Sequence, residues 1–274
     1  MEPSFDFDRE TAVTPLGDGR YESRLDTAWW VHRGPNGGYL AAIALRALTD
    51  AVDDPTRAPR SLTVHYAAPP AEGRLEIATT IERAGRSLSS CSARMEQGSR
   101  LIGLALAAFS EPRPGLALCD LVMPVVPPPE DIEPVVVTPD APAIASRWEH
   151  RRASGAPVMF GGAPSTEAAG ATWIRLPEGH AVDAVVAAAI SDAAVPAIFS
   201  RIDEPIIVPT VDLTVHFRSA LPVPGAQPDD FVLAAFRTGV VAEGFLEEDG
   251  EIWSRDGVLV AQSRQLAAVL PLPG

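Results

Sequence analysis

The sequence predicts an α+β fold built from two copies of one unit, in each of which an antiparallel sheet wraps a central apolar helix. Three observations lead to this. Residues 181–190 form an Ala-rich run without Gly or Pro. That run is helix-friendly and apolar on nearly all sides, so it belongs inside a wrapping sheet rather than on a surface. Residues 210–217 alternate polar and apolar and are rich in β-branched side chains, which reads as a strand with Val211, Leu213, Val215 and Phe217 on one face. Finally, Leu213-Thr214-Val215-His216-Phe217 repeats Leu62-Thr63-Val64-His65-Tyr66, with Pro-containing turns after both copies.

In chain order, Trp29-Trp30-Val31-His32-Arg33-Gly34-Pro35 is an aromatic run ending in a turn. Asn36 is a plausible N-cap for a helix from Gly37 to Leu48, closed by Thr49-Asp50. Gly37 and Gly38 are poor formers in a first helical turn, and their use there is close approach of a backbone or ligand. Strands are expected at 61–66, 74–83, 87–96 and 101–109, with a turn at Gln97-Gly98-Ser99. Residues 111–143 are rich in Pro and read as a linker across a surface. Strands resume at 147–151 and 171–175, then follow the second helix at 210–217, 231–237, 239–248 and 258–269. The domains expected are 1–112, a Pro-rich linker at 113–143, and 144–274.

Composition narrows the function classes. The formal net charge of −14 argues against nucleic acid and anionic membrane as partners. All 22 basic residues are Arg. Without Lys there is no Schiff-base chemistry, pyridoxal-phosphate attachment or Walker-type phosphate loop. The two cysteines, Cys91 and Cys119, give neither a disulfide framework nor metal spacing. The acidic start lacks a signal-peptide pattern, and a soluble cytoplasmic protein needing no cofactor is expected.

The copies differ in their polar residues. Both helices end near an acid, Asp50 and Asp192. With the repeated strands superposed, Thr210 takes the place of Pro59, and with the last strands superposed, Gln265 takes the place of Ala107. One half is therefore equipped with Asp, Thr and Gln.

At Asn36-Gly37-Gly38 with its helix, Ser191-Asp192, Thr210-Val211-Asp212, and Asp256-Gly257-Val258-Leu259-Val260-Ala261 running to Gln265, the chain resembles the bacterial acyl-CoA thioesterase II family. The resemblance covers most of the chain. It implies a double hotdog, with two antiparallel sheets each wrapping a central apolar helix. It implies hydrolysis of an acyl-CoA thioester, assembly as a homodimer or higher oligomer, and a place in lipid metabolism. The family's hydrolytic Asp, Thr and Gln fall on Asp192, Thr210 and Gln265.

In such a hydrolysis a carboxylate accepts a proton from the attacking water, and neighbouring polar groups hold that water in place. Backbone N–H groups at Gly37 and Gly38 are candidate donors to the developing oxyanion. The chain has no Gly-x-Ser-x-Gly nucleophile elbow. The bland alternatives are a solvated helix-end carboxylate at Asp192, an ordinary strand threonine at Thr210, an exposed Gln265 and packing glycines. His65 and His216 recur in both copies, which favours a structural role. Two other functions remain open: a non-catalytic acyl or acyl-CoA binding protein, and a hotdog enoyl-CoA hydratase. The hydratase motif Asp-x-Asn-Pro-x-His does not occur here.

Overall fold

The computed structural model describes residues 6–31 and 34–272. His32, Arg33 and the first five residues, Glu2 among them, lie outside the described residues. The first half contains α1 (Asp6–Glu10), β1 (Thr14–Gly17), β2 (Arg20–Leu25), α2 (Gly37–Val52), β3 (Ala58–Tyr66), β4 (Gly73–Ala84), β5 (Ser89–Gln97) and β6 (Arg100–Ser110). The second contains β7 (Glu149–Ser154), β8 (Ala168–Arg175), α3 (Ala184–Ile190), β9 (Ile206–Ile207), β10 (Thr210–Phe217), β11 (Val232–Thr238), β12 (Val241–Ala242), β13 (Phe245–Trp253), β14 (Leu259–Ala268) and β15 (Leu270–Pro271).

Two separate sheets were expected, and the structure instead joins them into one. Among the described residues the main sheet has 13 strands in the order β1-β2-β4-β5-β6-β3-β10-β14-β13-β11-β8-β7, with β12 paired to β13. The join is the antiparallel pair β3–β10, the two strands that carry the repeated sequence. Leu213 lies opposite Val64, Thr214 opposite Thr63 and Val215 opposite Leu62, so the repeat pairs with itself about Thr63 and Thr214. Each half thereby covers the edge strand of the other and satisfies a row of backbone groups that would otherwise be exposed.

On the inner side α2 and α3 pack directly against each other. Residues 39–48 of α2 are fully buried apart from Arg46, and Val186–Ile190 of α3 are buried as well. The small side chains of these runs let two helices share one enclosed layer. Helix α2 continues past Asp50 to Val52 and ends on Asp53 in the left-handed conformation (φ 47°). Helix α3 starts later than the Ala run suggests, because the Asp183 side chain caps it by accepting from the Val186 N–H.

Other differences from expectation have local causes. The strand expected at 239–248 is the hairpin β12–β13, turned by Glu243 and Gly244, both with positive φ (53° and 79°). The strand expected at 147–151 is displaced, because Ala143–Arg147 forms a 3-10 turn before β7. Strands β1 and β2 were not anticipated; β2 extends the sheet beyond β4. Within the Pro-rich segment, Met123, Val126 and Ile132 pack on the outer cluster formed by Ala171, Trp173, Phe231, Leu233 and Trp253. The Trp173 indole N–H donates to the Pro127 carbonyl at 2.9 Å.

Candidate active site

The N-terminus of α2, from the first half, meets the residue just beyond α3, from the second. Asn36 caps α2: its Oδ1 accepts from the Tyr39 N–H (3.1 Å). That orientation turns its amide Nδ2 toward Asp192, where it donates to the backbone carbonyl at 2.6 Å and to carboxylate Oδ2 at 2.9 Å. The Gly38 N–H donates to the same Oδ2 at 3.1 Å. Asp192 is therefore an anion held at the start of a 16-residue helix, where the helix dipole and free amides favour negative charge.

The two glycines make this approach possible. A Cβ on Gly38 would lie 2.3 Å from the Ala189 carbonyl oxygen of α3. A Cβ on Gly37 would lie 2.9 Å from Asp192 Oδ2 and 3.1 Å from the Tyr66 ring. Tyr66 closes this corner by donating its hydroxyl to the Gly37 carbonyl at 2.7 Å. Burial, reinforced by the charges of Asp192 and Asp212, pushes the Tyr66 phenol well above its ordinary value.

Burial also pushes the Asp192 carboxyl up, to about 6, against the opposing pull of the Gly38 and Gly37 amides and the Asn36 side chain. Asp192 is only partly exposed, whereas Asp50, its counterpart near the end of the first helix, is exposed. The two helix-end acids are not equivalent.

The remaining residues lie across the sheet. Thr210 opens β10, and its hydroxyl donates to Gln265 Oε1 at 3.0 Å. Gln265 is buried on β14, and its Nε2 donates to Glu248 Oε1 at 2.9 Å. Glu248 stands directly opposite it on β13. Its second oxygen accepts from the Ala197 N–H at 2.5 Å. The structure thus brings Thr210 and Gln265 into contact, and it brings Gly37 and Gly38 to Asp192. Among the described residues, the hydrogen bonds of Asp192 go to Asn36 and Gly38, not to Thr210 or Gln265. The two clusters are close enough for the Asp192 charge to act on Glu248.

Sequence reasoning recognised Asn36 only as a cap and missed Glu248 entirely. A glutamate in an alternating strand pattern looks like a solvent-side residue. The signal available was period 2: Glu248 shares one face of β13 with Leu246, Gly250 and Ile252, and that face is buried. His65 and His216 are exposed, away from the buried face. Among the described residues no group of three or more His, Cys, Asp or Glu is placed to hold a metal ion. No helix among them is long and apolar enough to cross a membrane.

Comparison with known proteins places this arrangement. A conserved protein with a hot dog fold from Alicyclobacillus acidocaldarius superposes with a TM-score of 0.87 and 27% identity, covering 97% of this chain and 98% of that one. A thioesterase II candidate from Thermobifida fusca YX gives a TM-score of 0.84 and 26% identity, covering 98% and 99%. An uncharacterised protein of Mycobacterium tuberculosis (strain ATCC 25618 / H37Rv) is 26% identical over 276 residues, covering 91% of this chain and 90% of that one. The acyl-CoA thioesterase N-terminal domain model matches residues 26–110, and the C-terminal domain model matches residues 126–269. Matches to both domains, with a hot dog neighbour covering 97% of the chain, mean that this protein belongs to the acyl-CoA thioesterase family.

Proposed function

We propose that the chain hydrolyses an acyl-CoA thioester to free acid and coenzyme A by water that Asp192 activates. The observation that supports this most is the setting of Asp192. It is a carboxylate at a helix start whose value is raised to about 6, so it is mostly ionised at neutral pH yet basic enough to accept a proton from water. Thr210 and Gln265 hold the water. As its oxygen bonds to the carbonyl carbon, one proton passes to Asp192 and negative charge builds on the carbonyl oxygen. The amides of Gly37 and Gly38, which face the carboxylate before the reaction, turn their attraction to that oxyanion as Asp192 is neutralised. Collapse of the tetrahedral intermediate breaks the carbon–sulfur bond, and the proton on Asp192 leaves with the thiolate.

The test is thiol release from acyl-CoA esters of graded length, with the wild type and Asp192→Asn. Release by the wild type, reduced about 100-fold or more in kcat by the substitution, is the expected outcome. No release by folded protein that still binds acyl-CoA would replace this reading with a non-catalytic binding protein.

The same reading takes the chain as cytoplasmic, acting in lipid metabolism, with no nucleic acid or membrane partner and with its copies associating as a homodimer or higher oligomer. Light scattering showing a clean monomer would remove the last of these.

A further inference from the structure

We propose that Glu248 is a positioning residue that fixes which way the Gln265 amide faces, so that Thr210 and the reacting water meet its carbonyl oxygen and not its amino group. The proposal rests on the hydrolase reading above.

The geometry determines the amide's orientation. An ionised carboxylate has no hydrogen to give. Glu248 Oε1 therefore accepts, and Gln265 must present Nε2 to it, as the 2.9 Å contact shows. The other end of the amide, Oε1, is then the one left facing Thr210, whose hydroxyl donates to it at 3.0 Å. With its hydrogen committed, Thr210 has lone pairs to offer and no proton. Gln265 Oε1, Thr210 Oγ1 and the Asp192 carboxylate all accept. A water among them donates its hydrogens to acceptors and keeps a lone pair free for the carbonyl carbon.

Protonating Glu248 reverses this. Its Oε2 stays bound to the Ala197 N–H, which cannot turn round, so the proton sits on Oε1 and faces Gln265. The amide must flip to offer Oε1 there, which points Nε2 at Thr210. Thr210 then accepts from the amide and aims its own hydrogen at the water, which loses an acceptor for its proton and becomes a weaker nucleophile by accepting a hydrogen bond.

Among the described residues the first half has no such chain of hydrogen bonds. There Cys91 stands opposite Ala107 and Pro59 opposite Phe109, at the places of Glu248, Gln265, Thr210 and Ala267. An acid buried on one strand of a repeat carries a desolvation cost that its apolar counterpart avoids, which argues for a use.

The groups acting on Glu248 are the Ala197 amide from the turn after α3 and Gln265 from β14, by hydrogen bonds, and the charges of Asp192 beyond α3 and of Glu247 on its own strand. Arg264 of β14 is turned away and pairs with Asp249. Burial holds the Glu248 carboxyl at about 7; the charges of Asp192 and Glu247 raise it, and the Ala197 and Gln265 hydrogen bonds lower it.

Glu248→Gln tests the proposal, because its amide copies the protonated acid: carbonyl to Ala197, amino group to Gln265. Expected is a drop in kcat of about tenfold or more with KM within about twofold. The acid limb of the log kcat profile should also become shallower, from two ionisations to one. Wild-type kcat and an unchanged profile would overturn the proposal. An independent readout needs no turnover. The chain has four glutamines, Gln97, Gln227, Gln262 and Gln265. With side-chain 15N-glutamine labelling, the signal lost in Gln265→Ala should titrate in the wild type with a midpoint near 7 and stay fixed in Glu248→Gln. A Gln265 signal that does not move between pH 5.5 and 8.5 would sink the proposal even if the enzyme is active. Failure of the wild type to release thiol would instead count against the hydrolase reading, leaving the titration to decide the role of Glu248.

Discussion

The Asn36 side chain joins the two halves of the molecule at one point: its oxygen caps α2 and its amide nitrogen donates to the Asp192 carboxylate at 2.9 Å. One planar group therefore fixes a helix start and a carboxylate that lies 156 residues away. Replacing it with Ala removes the cap, which is worth about 1 kcal/mol. It also removes a hydrogen bond that lowers the Asp192 value. Asn36→Ala is expected to unfold at lower denaturant and to shift the acid limb of the kcat profile to higher pH. A stability loss with an unmoved limb would mean that Asp192 does not need this donor.

Gly37 and Gly38 should respond differently to the same methyl group. At Gly38 the Cβ would meet backbone at 2.3 Å, so the helices must separate. Gly38→Ala is expected to cost about 1–3 kcal/mol of stability, as overpacking does, read from urea unfolding. At Gly37 the nearest atoms belong to the Asp192 carboxylate and the Tyr66 ring, both side chains, at 2.9 and 3.1 Å. Gly37→Ala is expected to keep more stability and to lose more kcat, because the carboxylate is what gives way.

Thr210→Val keeps the β-branched shape that suits a strand opening while deleting the hydroxyl. The Gln265 oxygen then loses its donor. A fall in kcat of about tenfold, with a midpoint of thermal unfolding within a few degrees of the wild type, is expected. If kcat is retained, Thr210 is an ordinary strand residue.

Stability should depend on pH in a definite direction at two sites. Asp192 rises from 3.8 to about 6 and Glu248 from 4.5 to about 7. Both folded values lie above the unfolded ones, so between these limits the native state binds more protons than the unfolded state. The two groups therefore remove stability as pH rises from about 4 to about 7, and the loss is complete above that. Asp192→Asn and Glu248→Gln should each gain stability relative to wild type across that window in urea titrations. A difference that is flat with pH would show that neither carboxyl is raised.

The sequence by itself determined the repeat, the two apolar helices, most strands of both halves and the asymmetry between the halves. Those properties are local: alternation, an uninterrupted Ala run, and a five-residue string occurring twice. It also selected Asp192, Thr210, Gln265, Gly37 and Gly38 as the residues to watch, through the Pro59 and Ala107 substitutions and the family resemblance. Only the tertiary structure decided what those residues touch. That β3 pairs with β10 and fuses two sheets into one follows from edge strands meeting in space. That Asn36 reaches Asp192, and that Gly38 leaves no room for a methyl group, follows from the close packing of α2 on α3. For Glu248 the sequence showed only a face shared with Leu246 and Ile252. A strand's sequence shows which residues share a face, but the partner strand and the depth of burial turn an ordinary glutamate into the acid behind Gln265.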